Sequence, residues 1–598
     1  MSRRPVLITH HSLLLITVGI ASLLLYWLLW IPAYRLNERF EYVDLLFRAF
    51  PWIADLLAAL LGAAQVILPA AVGSYEATAL LFCGLLVALF GLYALALLVV
   101  RYVPRRTAVA ALLGVTLACQ LVLLPLPGVF TTDLFSYAMY GEIAGRFGGN
   151  PYVQSPDDYP DSPLYLLINP LWRDAPSAYG PVWIGLSSLV GAALDGRVLA
   201  EVLTYRLIAD LCHWANLGLI WWVLRRLRPG REPLGLALYA WNPLVVLEFA
   251  GNGHNDGVML LFVLLCFGWL ARERVWLGVA ALILSMATKY TTVVLLPLVL
   301  WWAVRERRGW QRLALAAGAG LAGLAAIAAL YWPWWNGTAT LGPVIYWLST
   351  PMYANYAPIG AAGWVRDRLV ELGWPWEDAE PLVFGIQRQI VRAAFLVYLA
   401  VETLRFTPVS EAAASNHPRT AATGHRHPAG RGAVRRAVWA AWELGARLCR
   451  QGRGVEDLPL AGARALLLLL LAVNTWVLPW YFTWPLALVA LGNPRSRTTW
   501  VVVGFSLSAP LSMYWAQAHF KGLEPEGFAL YFAPLALLAI WEAARRLRRG
   551  PLAAAAIPSP LPSPSGRGYL LPLPLEEGRG EGEPTHGEGV RTLSSGGR

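Results

Sequence analysis

Length, composition and charge exclude an ordinary soluble protein. The chain has 598 residues, of which 57% are hydrophobic and only 14% are charged, a balance typical of proteins that cross a membrane many times. Its formal net charge of +11 comes mainly from arginine clusters at the ends of apolar segments, and positively charged loops stay in the cytoplasm. We therefore interpret the charge as a signal of membrane topology and expect no nucleic-acid partner.

The N-terminal apolar segments predict three membrane crossings before a long polar segment. Residues 12–34, 77–100 and 108–126 approach or reach the roughly 20 residues that a helix needs to cross a bilayer. The apolar segment 51–72 does not fit the alternation of arginine clusters, so we expect an interfacial or re-entrant helix there. This order places residues 127–183 on the external side. Their six acids against two arginines agree with an external location.

The remainder of the chain is predicted to add single spans and two helical hairpins. The hairpins are residues 275–304, with a tip near Lys289, and residues 466–492. The further single spans are 198–224, 234–250, 258–270, 313–331, 381–403, 499–516 and 528–544. The predicted fold is an all-α polytopic membrane protein with about 13 transmembrane helices and large external loops.

The composition changes along the chain predict four parts. They are a membrane core (1–404) with an external catalytic loop (127–183) and an aromatic external loop (332–380), a basic cytoplasmic insert (405–463), C-terminal transmembrane helices (464–549) and a tail (550–598). The tail is rich in proline, glycine and charge without periodicity, so we predict that it is disordered.

Asp133 is the leading candidate for catalysis because it lies just beyond a predicted span, at the start of the external catalytic loop. A carboxylate in this position can accept a proton from a sugar hydroxyl within hydrogen-bond reach. Tyr137, Tyr140 and Tyr152 follow it and offer ring faces and hydroxyls to a sugar. The alternative is that Asp133 caps the helix that begins at the next residue, and the two roles are compatible.

A second polar constellation stands at the external end of a predicted span. Glu248 lies within this span, where an ionisable side chain is costly and marks a functional candidate. His254, Asn255 and Asp256 follow in the motif G-N-G-H-N-D-G, on the predicted side of the membrane that holds the first candidate. The alternative is a polar span end in which Asn255 or Asp256 caps the next helix.

Two further sets of charged residues lie within apolar segments. Lys289 is one of only two lysines, the other being Lys521. A cation at a hairpin tip suits the phosphate of a lipid carrier, and snorkelling to the outer interface is the structural alternative. Arg206, Asp210 and His213 form a polar face within a span, which we interpret first as an internal Arg–Asp pair and second as substrate contacts.

The last constellation is aromatic. The motif W-V-L-P-W-Y-F-T-W-P at residues 476–485, which contains Trp480 and Tyr481, indicates a groove for a sugar or an isoprenoid. Residues of the aromatic belt at the membrane interface are the structural alternative.

Several common sites are missing from the sequence. There is no D-x-D triplet, no phosphate-binding loop and no nucleophile elbow, so an activated sugar donor must come from the membrane itself. The five cysteines lack metal-ligand spacing, which argues against a zinc site or a disulfide framework.

These motifs, in order, resemble a known family. The chain contains T-D-L-F-S-Y-A-x-x-G, G-x-N-P-Y, Y-G-P-V-W with Tyr179, N-P-L-x-x-L-E…G-H-N-D, T-K-Y…L-P-L and P-W-Y-x-x-W-P. This series is similar to the GT-C glycosyltransferases of membranes, and most similar to the polyprenyl-phosphomannose-dependent α-(1→6)-mannopyranosyltransferases of bacterial envelopes. The resemblance covers about residues 12–549. It implies an enzyme on the external face of the bacterial plasma membrane.

The resemblance also implies roles for the candidates. Asp133 maps onto the catalytic base of an inverting transfer from a polyprenyl-phosphate sugar, with mannose as the sugar, to a glycan or lipid-linked acceptor. Lys289, helped by Arg146 or Arg173, would offset charge on the leaving phosphate, and His254 and Asp256 would orient donor or acceptor. The predicted substrate-binding residues are Tyr137, Tyr140, Arg146, Tyr152, Arg173, Tyr179, Glu248, His254, Asn255, Asp256, Lys289, Trp480 and Tyr481.

No cofactor is expected beyond the lipid-linked donor, and dependence on a divalent metal stays open. The competing class is a flippase or transporter of lipid-linked sugars, which would explain the buried charges equally well. It explains less well why the polar motifs concentrate on one predicted side, because transporter sites lie near the midplane. A structural subunit of an envelope-synthesis complex is a third possibility, for which no motif speaks directly.

Overall fold

All regular secondary structure in the described residues is helical. A computed structural model describes residues 10–37, 40–129, 131–307, 309–349, 356–408, 453–474, 477–518 and 525–549, and within these ranges there is no β-strand. Most of the predicted cytoplasmic insert and the predicted tail therefore lie outside the described residues. The chain divides into two units at Ala539, and every candidate site residue precedes that point.

The described residues up to Leu227 contain ten α-helices. They are α1 (His10–Leu28), α2 (Trp30–Arg35), α3 (Phe40–Ala49), α4 (Pro51–Ile67), α5 (Pro69–Val72), α6 (Tyr75–Val99), α7 (Arg105–Leu123), α8 (Asp133–Gly145), α9 (Pro181–Leu194) and α10 (Val198–Leu227).

Thirteen further α-helices are described after α10. They are α11 (Glu232–Ala240), α12 (Pro243–Val246), α13 (Asp256–Leu270), α14 (Val275–Met286), α15 (Leu296–Val304), α16 (Gly309–Tyr331), α17 (Gly342–Ser349), α18 (Tyr356–Glu371), α19 (Trp376–Leu404), α20 (Leu458–Leu468), α21 (Thr483–Leu491), α22 (Arg497–Ala518) and α23 (Pro525–Arg549). A π-helix (Leu247–Gly251) follows α12.

The candidate membrane-spanning helices of the described residues can be compared with the predicted count. In the described part of the chain, seven helices are long and apolar enough to cross a membrane, or up to nine if each of two bent helix pairs is one span. This confirms a helical membrane protein, whereas the count of about 13 is not confirmed. The difference arises because several predicted spans are short helices, such as Asp256–Leu270 and Val275–Met286. At about 1.5 Å per residue these fall short of a bilayer core about 30 Å thick.

Two apolar segments are interrupted. The segment after residue 40 consists of Glu41–Ala49 and Pro51–Ile67, which meet at 112°, and Pro51 begins the second helix. Such a bend belongs to a broken span or a re-entrant loop, so the interfacial or re-entrant helix at residues 51–72 stays a prediction. The segment 275–304 breaks at residues 287–289, between α14 and a 3-10 helix (Tyr290–Leu295).

The predicted catalytic loop 127–183 is an ordered, helix-containing segment. Its first helix, α8, packs closely against α9 because glycines line the contact. A Cβ atom added to Gly141 would lie 2.6 Å from the carbonyl oxygen of Ser187, and Gly145 and Gly191 are equally close to backbone atoms of the facing helix. These glycines therefore serve helix–helix contact.

Candidate active site

The candidate site forms where four segments meet. They are the start of α8, the turn between the π-helix and α13, the break at residues 287–289, and a 3-10 helix (Pro479–Phe482) that leads into α21. The sequence motifs described above supply all four segments.

Gly180 joins the catalytic loop to the break at residues 287–289. Its N–H donates to the carbonyl of Thr288 at 3.0 Å, and the N–H of Val182 donates to the carbonyl of Ala287 at 2.9 Å. An added Cβ atom at Gly180 would collide with the Ala287 backbone, while Pro181 begins α9 without losing a needed donor. The Y-G-P-V-W motif is thus explained by the close contact of Gly180 with the break and by the start of α9 at Pro181.

Asp133 lies at the first position of α8 and its side chain turns toward the second constellation. The N-cap position is Thr132, with no side-chain capping bond. Asp133 Oδ2 lies 3.7 Å from His254 Nδ1, and its side chain remains 24% exposed. The structural alternative, in which Asp133 caps a helix beginning at Leu134, is therefore not what is observed.

His254 stands between two carboxylates. On the side opposite Asp133, its Nε2 lies 3.2 Å from Glu248 Oε2, and both His254 and Glu248 are fully buried. The His254 ring stacks on Trp480, with centroids 4.2 Å apart. The ring is thus fixed on both edges and on one face.

Asn252 holds the turn that carries His254. Its Nδ2 donates to Glu248 Oε2 at 2.6 Å and its Oδ1 accepts from the N–H of Val129 at 2.7 Å. Gly253 adopts a positive φ of 69°, a conformation that glycine takes at no steric cost. The turn is thereby tied to the segment that precedes α8.

Asp256 and Lys289 form a buried ion pair. Lys289 Nζ lies 3.0 Å from Asp256 Oδ1, and the Lys289 side chain is 12% exposed while Asp256 is fully buried. Trp484 Nε1 donates to the same carboxylate oxygen at 2.5 Å. Lys289 Nζ also lies 4.9 Å from the ring centroid of Tyr481. The cation is therefore held by a carboxylate and aromatic faces, which differs from the snorkelling alternative.

The aromatic candidates surround this polar centre. The Tyr137 hydroxyl lies 3.4 Å from His254 Nδ1 and donates to Asn255 Oδ1 at 3.3 Å. Its ring contacts that of Tyr179, with centroids 5.0 Å apart, and Tyr140 also lies beside Tyr179. Asn255 occupies the N-cap position of α13 but makes no side-chain cap bond, so the capping alternative is not observed for it.

Three predicted site residues are not brought to this centre. Arg146, at the other end of α8, pairs with Glu142 at 3.3 Å and Asp195 at 3.0 Å. Arg173 stacks over Tyr165 at 4.5 Å within the same loop. The Tyr152 ring packs against Tyr331 and Trp334.

The predicted internal Arg–Asp pair on α10 is not formed. Arg206 Nη1 donates to the carbonyl of Leu124 at 2.6 Å, and no ion pair joins Arg206 to Asp210 among the described residues. His213 Nδ1 lies 3.2 Å from Gln120 Nε2. Backbone and amide groups therefore replace the expected charge partner, because the carbonyl that ends α7 lies closer to the guanidinium.

The electrostatics of the centre favour a proton-accepting role for Asp133. Burial raises the pKa of the Asp133 carboxyl above its ordinary value, and this effect outweighs the opposing attraction of His254 and Lys289. A quarter of the side chain stays exposed, which keeps the carboxyl accessible. A carboxylate with a raised pKa is a better general base than an ordinary one.

Several buried polar atoms around the centre lack a hydrogen-bond partner within the described residues. They are Glu248 Oε1, His254 Nε2, Asn255 Nδ2, Asp256 Oδ2 and Trp480 Nε1. Buried polar groups in native proteins are normally satisfied, so this cluster of unpaired atoms distinguishes the centre from an ordinary structural cluster of charges. Among the described residues, no group of three or more His, Cys, Asp or Glu is placed to hold a metal ion.

Two contributors were missed by sequence reasoning. Asn252 ties the His254 turn to the chain before α8, and Trp484 holds Asp256. Both stand inside motifs that the sequence analysis singled out. The pattern identified the motifs, but only the fold shows which of their members point inward.

Comparison with known proteins finds a family model that matches the part of the chain holding most of the centre. Residues 60–305 match the family described as "Alpha-(1->6)-mannopyranosyltransferase, N-terminal domain". This range contains Asp133, Glu248, His254, Asp256 and Lys289. The aromatic segment around Trp480 lies beyond it.

Individual relatives carry the same description. "Alpha-(1->6)-mannopyranosyltransferase A" of Mycobacterium tuberculosis is 26% identical over 417 residues, which are 66% of this chain and 69% of that protein. The protein of the same name from Corynebacterium glutamicum is 24% identical over 184 residues, or 30% of this chain and 36% of that protein. "Alpha-(1->6)-mannopyranosyltransferase B" of C. glutamicum is 29% identical over 138 residues, or 23% of each chain.

No solved structure shows a significant match. The sequence relatives and the family match nevertheless agree with the order of motifs in the chain. They confirm the predicted resemblance: this membrane protein is similar to the α-(1→6)-mannopyranosyltransferases.

Proposed function

We propose that the chain is a mannosyltransferase of the bacterial plasma membrane, which moves mannose from a polyprenyl-phosphate donor to a glycan or lipid-linked acceptor. The observation that carries this proposal is the partly exposed Asp133 carboxylate, set beside a buried lysine–aspartate pair and a cluster of unpaired polar atoms. A base and a cation within one centre are what glycosyl transfer from a phosphate leaving group requires.

The proposed reaction is a single displacement at C1 of the sugar. Asp133 takes the proton of the acceptor hydroxyl, and that oxygen forms a bond to C1. The bond between C1 and the phosphate oxygen breaks with its electron pair, so polyprenyl phosphate leaves as an anion. Inversion at C1 gives an α linkage from a β-linked donor.

Lys289 is proposed to stabilise the leaving phosphate. Asp256 accepts a hydrogen bond from the lysine, and Trp484 donates to the same carboxylate oxygen. The Lys289 side chain is partly exposed, so its ammonium keeps further N–H donors for a phosphate oxygen. Asp256 thus acts through the lysine, since its own side chain is fully buried. Arg146 and Arg173 are engaged elsewhere and are not included in this step.

The aromatic residues are proposed to line the sugar and lipid path. Tyr137, Tyr179, Trp480 and Tyr481 surround the centre, and aromatic rings offer apolar faces to sugars and isoprenoids. We propose no metal or other cofactor. Addition of a chelator such as EDTA should leave transfer unchanged.

The external position of the site is proposed from charge. Arginine clusters flank the opposite ends of the helices that bring α8 and the π-helix together, for example Arg101–Arg106 before α7 and Arg225–Arg231 after α10. Since positive segments stay in the cytoplasm, the centre would face outward.

Transfer and transport can be separated in liposomes. The protein is reconstituted with radiolabelled polyprenyl-phosphomannose and an oligomannoside acceptor, and label in the glycan product is measured separately from donor that changes leaflet. Labelled product supports the transferase. Donor that moves between leaflets without product would support the flippase. If mannose is not transferred but another sugar from a panel of donors is, the proposed sugar changes and the proposed transferase activity stands.

A further inference from the structure

His254 cannot act on a substrate directly. Its side chain is fully buried, one ring face is covered by Trp480, and its two nitrogens point toward Asp133 and Glu248. Any influence on the reaction must therefore pass through a neighbouring group. Asp133 is the only one of these neighbours with appreciable exposure.

Glu248 is a buried carboxylate without a lysine or arginine partner. Within the described residues, its side chain accepts from the neutral amide of Asn252 at 2.6 Å, lies 3.2 Å from the imidazole of His254, and has the neutral phenol of Tyr514 nearby. Its second oxygen, Oε1, has no hydrogen-bond partner there. A buried charge is costly unless it is paired, so a positively charged imidazole ring is the one group available to balance it.

The local backbone brings Glu248 to this place. Residues Leu247–Gly251 form a π-helix, whose extra residue per turn changes the direction of side chains relative to an α-helix, and such elements are frequent at functional sites. The N–H of His254 donates to the carbonyl of Glu248 at 3.1 Å. The two residues are thus joined through the backbone, and their side chains approach to 3.2 Å without a hydrogen bond.

We propose that Glu248 keeps His254 in its protonated form, and that the resulting imidazolium keeps Asp133 ionised and oriented as the base. This inference rests on the proposed function. Glu248 and His254 are positioning residues in this arrangement, since neither touches the reacting atoms. The centre then holds three carboxylates (Asp133, Glu248 and Asp256) and two cations (His254 and Lys289). Its net charge is one negative charge, which can take up the proton of the acceptor.

Other ionisable groups face this chain of contacts. The Tyr137 hydroxyl lies beside His254 Nδ1, the Asp256–Lys289 pair acts on Asp133, and Tyr514 faces Glu248 from α22. The Asp256–Lys289 pair is nearly neutral as a unit. Glu248 therefore remains the charge that decides the state of the imidazole.

The test is the pH dependence of kcat/KM for mannosyl transfer in wild type, Glu248→Gln and Glu248→Asp. Loss of the Glu248 charge should release the imidazole proton, so the acidic limb should move up by about one pH unit and the rate should recover at higher pH. The acidic limb of the Glu248→Asp profile should lie closer to that of wild type. Glu201→Gln, which changes another buried glutamate near the far end of α8, serves as the matched control and should leave the limb in place.

A second readout does not depend on turnover. ¹⁵N NMR of histidine-labelled protein, with the His254 signal assigned by its loss in His254→Gln, should show both ring nitrogens protonated in wild type and a neutral ring in Glu248→Gln. If Glu248→Gln does not fold, the wild-type spectrum alone decides.

The inference and the proposed function fail differently. A neutral His254 in wild type, or a rate loss in Glu248→Gln that is the same at every pH, would overturn the inference. If wild type transfers no sugar, the proposed function fails, while the NMR spectrum still decides whether Glu248 sets the charge of His254.

Discussion

The two ends of α8 carry similar residues but differ in how those residues are satisfied. At the C-terminal end, Glu142 is fully buried and receives both Arg146 and the hydroxyl of Ser162, and Arg146 also pairs with Asp195. At the N-terminal end, the Asp133 side chain remains partly exposed, and its Oδ2 lies 3.7 Å from His254 Nδ1. The helix has 13 residues, so the two ends lie about 20 Å apart.

This difference teaches how to separate structural from functional charges. At the C-terminal end, Glu142 and Arg146 pair with each other and are completed by Ser162 of the following loop and by Asp195 at the end of α9. The groups at the N-terminal end come from four segments far apart in the chain, and several of their polar atoms have no partner among the described residues. Mutual satisfaction indicates a structural role, and an incomplete set with an exposed member indicates a place for a ligand.

The largest expected effect is on Asp133. Replacing Asp133 by Asn should lower the transfer rate by at least about 10²-fold, since general base catalysis typically contributes that much. Glu142→Gln, at the other end of the helix, should lower stability by a few kcal/mol, as expected when one partner of a buried pair is removed. Its rate per folded protein should stay within a few-fold of wild type. Rates normalised to folded protein check both, and a tenth or more of the wild-type rate in Asp133→Asn would exclude the base assignment.

A second pair of variants compares the cations of the two ends. Lys289→Met should lower kcat by about 10²-fold, because a charge that stabilises the leaving phosphate in the transition state would be lost. Arg146→Met should reduce thermal stability and leave kcat of the folded protein near wild type. Measuring kcat, KM and the unfolding temperature of each variant checks this. An equal loss of kcat in both variants would contradict the assignment of a catalytic role to the cation at the N-terminal end of α8 and a structural role to the cation at its C-terminal end.

The raised pKa of Asp133 predicts a direction for pH dependence. Transfer requires the ionised carboxylate, so kcat/KM should fall about tenfold per pH unit below that pKa and level off above it. The pKa is raised in the folded state, so the unfolded chain releases this proton first as pH rises and folding stability falls through that range. Asp133→Asn should therefore be at least as stable as wild type at neutral pH. Lower unfolding temperature of the variant at that pH would contradict the burial argument.

The smallest expected catalytic effect belongs to the glycine contact between α8 and α9. Gly141→Ala places a methyl group 2.6 Å from a carbonyl oxygen of α9, so we expect a loss of about 1–3 kcal/mol in stability. The pH profile of the folded fraction should keep its wild-type shape, because the site lies at the end of the helix. A changed profile would show that the helix contact sets the geometry of Asp133.

The sequence predicted the motifs of the site better than the membrane topology. Glu248 and Lys289 are predicted because ionisable residues within apolar segments are rare, and Asp133, His254 and Asp256 because they stand at the external ends of predicted spans. The fold brings all five together. Arg146 and Arg173 were chosen for charge alone. Sequence could not show that nearer partners, Asp195 for one and Tyr165 for the other, would engage them.

The span count of about 13 is not confirmed, and helix length is the physical reason. Apolar segments such as Asp256–Leu270 and Val275–Met286 are hydrophobic enough to be predicted as spans, but they form short helices, and Asp256–Leu270 is largely buried among other helices. A helix surrounded by other helices is as apolar as one surrounded by lipid. Hydropathy alone therefore could not separate the two environments.

The most direct test is single-turnover transfer by purified protein that is loaded with radiolabelled polyprenyl-phosphomannose and then mixed with an oligomannoside acceptor, with donor binding measured in the same sample. We predict that wild type converts the bound donor to mannosylated product, and that Asp133→Asn binds the donor with similar affinity and forms almost no product. Product formation by Asp133→Asn at the wild-type rate, or binding without any product in wild type, would contradict the account.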